Sequence, residues 1–430
     1  MKKRTALLLS SVLSVSLVAT ACSSSNVTKG GSDDKVVVDV FNIKVETKKQ
    51  LDELVETYES QNKNVDINVT TVGGGQDAPA ALQAKFSSGD EPSIFMMGGL
   101  NDAKKWQKTL LDVSETEAAK LAIEGTLGGA TIDGVSYGLP YNIEGFGWMV
   151  NKEIFKKAGI EVESIQSFAD FENAVKTIDS KKKELGIDAV FAFSAKENWV
   201  VSQYSSNFMS LAYENDLNAA LEAEKPSFEY GNQFNQYTDL MNKYNLQPIV
   251  SIDYSTSVEE KFANGKVAII HQGNWIIPTL DGIDETFSQE KLALVPMFLK
   301  DGEPGTVAAG PSWFWGINKN EDEKVVEESK KFLDWVYTSK EGKKSLIEDF
   351  KYIPAYKGND ADSIKDPVSK VIYQHLSDGN NTVWIHGSYP NGWFQSGLHP
   401  EFQKYLTGDI TWDEFTKSAS KSWEELRSNE

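Results

Sequence analysis

Cysteine is nearly absent. Cys22 is the one cysteine in 430 residues, so no disulfide can form within the chain and packing alone must stabilise it. Histidine is scarce too: His271, His375, His386 and His399 follow no metal-ligand spacing, which argues against a zinc enzyme and against a metal-capturing protein. No G-x-S-x-G occurs, and the Gly73-Gly74-Gly75 run lacks the Lys-Ser/Thr of a phosphate loop, so it reads as backbone freedom and not as a nucleotide site. Basic residues are outnumbered 43 to 63, giving a net charge of −20, and such a body does not seek nucleic acid or anionic lipid. Beyond the N-terminus no apolar run approaches bilayer-spanning length. Neither a cofactor nor a metal is implied.

What is present begins at the N-terminus. Lys2, Lys3 and Arg4 precede an apolar, small-residue run from Ala6 to Ala21, a signal-peptide pattern over residues 1–21. The run stops at Cys22, and Leu17-Val18-Ala19-Thr20-Ala21-Cys22 resembles a bacterial lipobox, with Ala19 where Leu is usual. Acylation of Cys22 would tether the chain to a membrane; the alternative is an ordinary Ala19-Thr20-Ala21 cleavage site with a chance cysteine after it. Residues 22–35 are rich in Ser, Gly, Asn and Asp, with almost nothing to bury, and read as a flexible leash.

The remaining residues, roughly four hundred, are too many for one core, so two domains are expected. Strand and helix patterns alternate. Val36–Phe41 is a buried-strand run, and Lys48–Ser60 places Leu51, Leu54, Val55 and Tyr58 on one helical face. Val65, Ile67, Val69 and Thr71 alternate as in a strand. Pro79–Ser88 forms a helix stopped by Gly89, and Ser93–Met97 is a further strand. This is β-α-β-α-β, an α/β domain with a mainly parallel sheet. The same grammar continues through a strand at Phe146–Val150, helices at Lys152–Ala158 and after Ser167, strands at Val190–Phe193 and Val267–His271, a helix at Ser257–Asn264 and another at Glu323–Thr338.

The most informative segment is Glu260–Trp275: helix, Gly265 stop, the apolar strand Val267–Ile270, then a Gly273 turn presenting Trp275. It resembles the F-x-x-G-K-x-A-M-x-x-x-G-x-W signature of extracellular solute-binding proteins of carbohydrate ABC importers, the maltose- and multiple-sugar-binding type, with Ile269 in place of Met. Asp133-Gly134-Val135-Ser136-Tyr137-Gly138-Leu139-Pro140 is similar to that family's G-K-x-Y-G-L-P segment. Gly310–Asn318, Phe332-Leu333-Asp334-Trp335 with Ser339–Gly342, and Ile353-Pro354 follow the family's later elements.

The resemblance implies a periplasmic-binding-protein-like fold: two α/β lobes of discontinuous segments joined by a hinge around a ligand cleft. The lobes would be 36–143 with 296–350, and 144–295 with 351–430. It implies a monomer that captures an oligosaccharide, an alpha-glucoside or a raffinose-type sugar in the first instance, and delivers it to the permease subunits of an ABC importer. Aromatic rings would cover the C–H face of a sugar, and carboxylates and amides would meet its hydroxyls.

Eleven Trp and fifteen Tyr supply rings in plenty. Trp275 is the leading stacking candidate, joined by Trp199, Trp313 and the loop residues Trp384, Tyr389 and Trp393; each of the last four could equally pack a loop or core. Trp106, Trp335, Trp412 and Trp423 lie in helical patterns and read as packing. Polar candidates follow the strands of the first lobe, where open α/β sheets bind ligands: Asn42 and Lys44, Gln76 and Asp77, Asn101 and Asp102. Glu144, just past the first crossing, matches a position where the resembled proteins place a sugar-binding carboxylate; a solvated hinge residue is the alternative. Two rival functions remain: a binding protein for another solute, such as a peptide or polyol, and a lipid-anchored glycoside hydrolase. The latter needs two carboxylates across a sugar, and among 63 acidic residues composition alone does not separate it.

Overall fold

A computed structural model describes residues 35–72, 77–358 and 363–430. The signal-peptide and lipobox readings, Cys22, most of the leash, the Gly73–Gly75 run and Gln76 lie outside the described residues.

The first sheet follows from the alternating apolar strands. Val36–Asn42 pairs in parallel with Val65–Thr71 on one side and Ile94–Met97 on the other. Phe314–Ile317 then adds antiparallel to Ile94–Met97, and Leu139–Pro140 closes the edge. The sheet is therefore mixed, because Phe314–Ile317, returning from the second sheet, runs against both of its neighbours. The period of two sends Val38 and Val40 to one face, against Leu51, Leu54, Val55 and Tyr58 of the Lys48–Gln61 helix. Phe41, Phe95 and Met97 face the other way, against Trp106.

The second sheet is ordered Asn381–Thr382, Val307–Pro311, Ile143–Asn151, Val267–Gly273, Ala189–Phe191. Ile143–Asn151 is buried at every position and is its axis. It runs antiparallel to Val267–Gly273 on one side. On the other side it takes Val307–Pro311 against its first half and Leu292–Val295 against its second. The second sheet thus reaches past residue 296, where the sequence-based boundary stood: Val307–Pro311 pairs with it, and the chain returns to the first sheet only at Phe314.

The chain passes between sheets at adjacent places. Tyr141 and Asn142 separate Pro140 of the first sheet from Ile143 of the second, and Ser312 and Trp313 separate Pro311 from Phe314. These crossings are hydrogen-bonded side by side, Tyr141 N–H donating to the Trp313 carbonyl at 2.8 Å. A third segment lies against them: Ile143 N–H donates to the Ile353 carbonyl at 2.9 Å.

The C-terminal helices complete the second lobe's core. Trp393 is wholly buried, its ring 5.0 Å from Tyr389 and 4.7 Å from Trp423. Its Nε1–H donates to the Ala419 carbonyl at 2.9 Å and to Ser422 Oγ at 3.1 Å. Of the two readings the sequence left open for Trp393, ligand face or packing, its place in this core matches the second. Trp393→Ala is expected to lower the free energy of unfolding by about 3–5 kcal/mol, the usual cost of truncating a core indole. Denaturant titration followed by circular dichroism checks it, and a loss below about 1 kcal/mol would contradict the core role.

Candidate functional site

The turn after Val36–Asn42 is shaped by Asn42. Its Oδ1 accepts from Lys44 N–H at 3.0 Å, and its Nδ2 donates to the Lys44 carbonyl at 3.3 Å and to Thr71 Oγ1 at 3.1 Å. Asn42 is thus occupied in building the loop. The loop projects Lys44 across to the second sheet, where its Nζ lies 2.7 Å from Glu144 Oε1 and 3.1 Å from Glu46 Oε1. Burial alone would lower the Lys44 pKa, but the Glu144 and Glu46 carboxylates outweigh it and hold the ammonium well above its ordinary range. Glu144 is 1% exposed and has further donors: Ser312 Oγ at 2.7 Å on Oε2 and Asn142 Nδ2 at 3.2 Å on Oε1.

Indole rings gather beside this pair. Lys44 Nζ stands 5.8 Å from the centroid of Trp275. Trp275 is 5.9 Å from Trp384 and 6.2 Å from Trp199, and Trp384 packs 4.9 Å from Phe146 of the axial strand. Trp384 Nε1–H donates to the Glu144 carbonyl at 3.4 Å. Trp275 lies at the end of Val267–Gly273, as the motif suggests, but its ring folds back over the strand. Its Nε1–H donates to Gln272 Oε1 at 2.9 Å, and a Cβ on Gly273 would collide with the ring, so this position requires glycine. The structure therefore brings Lys44, Glu144, Trp199, Trp275 and Trp384 into one neighbourhood.

Other sequence candidates serve elsewhere. Exposed Asp77 caps the Ala78–Ser88 helix, accepting from Ala80 N–H at 3.0 Å. Asp102 accepts from Gly98 N–H at 2.8 Å, and burial raises its carboxyl above the usual range. Trp313 is half-buried against the backbone of Gly98. Tyr389 turns its ring into the core of the second lobe, its hydroxyl 3.3 Å from Ser205 Oγ. Its carbonyl, however, accepts from Asn101 Nδ2 at 2.9 Å, which ties the first-lobe helix Leu100–Trp106 to the second lobe. Gly387 meets Gly98 and Gly99 so closely that a Cβ there would collide with the Gly98 carbonyl.

Several polar groups were not singled out from sequence. Asn142 Oδ1, Gln272 Nε2, His386 Nδ1 and Ser388 Oγ are buried without a hydrogen-bond partner among the described residues. Gln272 lies in the Glu260–Trp275 segment and His386 and Ser388 follow Trp384, so an amide, imidazole or hydroxyl near a candidate tryptophan is the sequence signal for these three, while Asn142 carries only its place between Pro140 and Glu144. Burial of an unpaired donor or acceptor is costly, which marks such groups as sites for a partner from outside the chain. Among the described residues no group of His, Cys, Asp and Glu is placed to hold a metal ion, and no helix is long and apolar enough to cross a membrane.

Two α/β lobes with crossing strands between them and a polar, tryptophan-lined junction define a solute-binding architecture. The profile of the bacterial extracellular solute-binding protein family matches residues 53–370, and the chain belongs to that family. A multiple sugar-binding protein of Streptococcus mutans serotype c is 23% identical over 386 residues, covering 86% of each chain. Among solved structures, a chitin oligosaccharide binding protein superposes with a TM-score of 0.76 at 19% identity, over 92% of this chain and 100% of that one. The SBP RafE in complex with raffinose gives 0.74 at 17% identity, over 91% and 100%.

The imidazoles near the junction yield a pH prediction. Burial lowers His271 to about 3 and His386 to about 4 from the ordinary 6.5. Below pH 6.5 the unfolded chain binds protons that the native one refuses, so stability falls as the pH drops, by about 1.4 kcal/mol per unit for each histidine. His386→Gln should make the decline between pH 6.5 and 5 shallower by about one proton's worth in denaturant titrations. An unchanged slope would show that His386 is protonated in the native state.

Proposed function

We propose that this protein binds a neutral oligosaccharide outside the cytoplasm and delivers it, by closing its lobes, to the permease subunits of an ABC importer. The observation that carries the reading is the group Trp199, Trp275 and Trp384 beside the Lys44–Glu144 pair, at the place where the two sheets adjoin. Indole faces bury the C–H surface of a pyranose, and the nearby amides and hydroxyls meet its rim. Lys44 is already countered by Glu144 and Glu46, so a ligand need bring no charge of its own. The names of the similar proteins support a sugar: one is a multiple sugar-binding protein, another was solved with raffinose. Binding fits better than hydrolysis, because Glu144 is engaged by Lys44, Asn142 and Ser312 and is not poised as a free acid or nucleophile. We further read the protein as a monomer, tethered through lipid on Cys22.

Calorimetry against a panel of oligosaccharides tests the reading directly, with Trp275→Ala as the control. Losing about 100 Å² of stacked surface, at about 25 cal/mol per Å², removes roughly 2–3 kcal/mol, so affinity should fall about thirty- to a hundredfold. Near-normal affinity in the folded fraction of that variant would remove Trp275 from the site. The anchor is tested separately. Cys22→Ala should shift the protein from the detergent phase to the aqueous phase or stall its maturation; partitioning like the parent would refute lipidation.

A further inference from the structure

Between the lobes, beside Trp384, lies a cavity of about 90 Å³. Its walls come from both sides: Gly98, Gly99 and Phe314 from the first lobe, and Gly310, Trp384 and Ser388 from the second. The space exceeds what one water needs, and falls well short of the roughly 300–1,000 Å³ of a pocket that takes a whole small ligand. It has the size of a single substituent. Besides glycine backbone it is lined by Leu217, Ala309, Pro311, Val383 and aromatic rings, and the Thr126 hydroxyl is already given to the Ile123 carbonyl, so most of the side-chain wall is apolar. One polar side-chain group stands out. Ser388 is wholly buried, and its hydroxyl has no hydrogen-bond partner among the described residues.

We infer that this cavity is a subsite for a methyl-bearing substituent of the bound sugar, seated while the ring lies against Trp384. The inference rests on the sugar-binding reading and narrows it. An acetamido group would place its methyl in the apolar space and offer its carbonyl or N–H to Ser388. The methyl of a 6-deoxy sugar would fill the same space and leave Ser388 unpaired. Glycine at 387 is demanded by the approach of the lobes, since a Cβ there would strike the Gly98 carbonyl, so the cavity is complete only when the two lobes meet.

Calorimetry on the full chain with matched glycans tests this. Chitotriose and cellotriose differ by acetamido against hydroxyl; disaccharides ending in 6-deoxyglucose and in glucose differ by methyl against hydroxymethyl. In at least one pair the methyl-bearing member should bind tenfold tighter or more, about 1.4 kcal/mol, and the pair that responds identifies the source of the methyl. Ala309→Leu, which crowds the cavity wall, should erase that preference. Ser388→Ala, the milder change, should reduce an acetamido preference severalfold and leave a deoxy preference intact. Equal or tighter binding of the hydroxyl-bearing members would overturn the subsite while leaving sugar binding in place. Failure of these glycans and of the whole oligosaccharide panel to bind would remove the sugar-binding reading, and this inference with it; failure of these glycans alone, with another sugar bound, would overturn the subsite.

Discussion

Lys44 is a cation held in the protein interior, and much of the architecture around the cleft answers that one constraint. An ammonium out of water needs nearby anions, and the anions need donors of their own. Glu144 meets it from the axial strand of the second sheet and Glu46 from its own loop. Asn42 sets the loop that aims it, while Asn142 and Ser312, one from each crossing, donate to Glu144, the first to the oxygen that meets Lys44 and the second to the other. Removing Lys44 would leave the Glu144 carboxylate buried without a countercharge, a loss of about 3–5 kcal/mol in comparable cases, whereas removing Glu144 would leave Lys44 with Glu46 alone. The pair therefore joins first lobe, second lobe and both crossings in a single unit.

The crossings are braced by tyrosine. Tyr337 donates its hydroxyl to the Tyr141 carbonyl at 3.2 Å, and Tyr356 donates to the Pro140 carbonyl at 2.6 Å. Tyr352 reaches Tyr141 Oη at 2.9 Å and Thr47 Oγ1 at 2.8 Å, and Thr47 is three residues past Lys44. Burial pushes the Tyr141 hydroxyl up to about 12, so at ordinary pH it is a neutral donor. Hydrogen bonds thus run from the hinge segments to the loop carrying the buried cation, where a change in lobe angle would be felt at the site.

The family's two-lobed fold was legible in sequence because its signals are local. Apolar alternation in Val65–Thr71, the one-sided face of Lys48–Gln61 and the left-handed stops at Gly89 and Gly265 depend on neighbours a few residues away. The Glu260–Trp275 signature predicts a helix, a stop and a strand; the helix at Ser255–Phe262 is of the wider π type, which residue periodicity does not distinguish.

Which lobe a strand joins, and which side a ring faces, were settled only by tertiary contact. Val307–Pro311 falls in the stretch the sequence assigns to the first lobe; its pairing with Ile143–Asn151 depends on a partner some 165 positions earlier. Trp384 and Trp393 share one loop-like segment and one chemistry, yet the first adjoins Trp275 and the second is sealed beneath Ser422 and Trp423. The sequence alone determined the helices, strands and stops and the supply of aromatic and carboxylate groups, because these follow from chain-local sterics and periodicity. The assembly of Lys44, Glu144 and three tryptophans drawn from separate elements was decided by how two sheets pack across their crossings, where burial and pairing are long-range and leave no local mark.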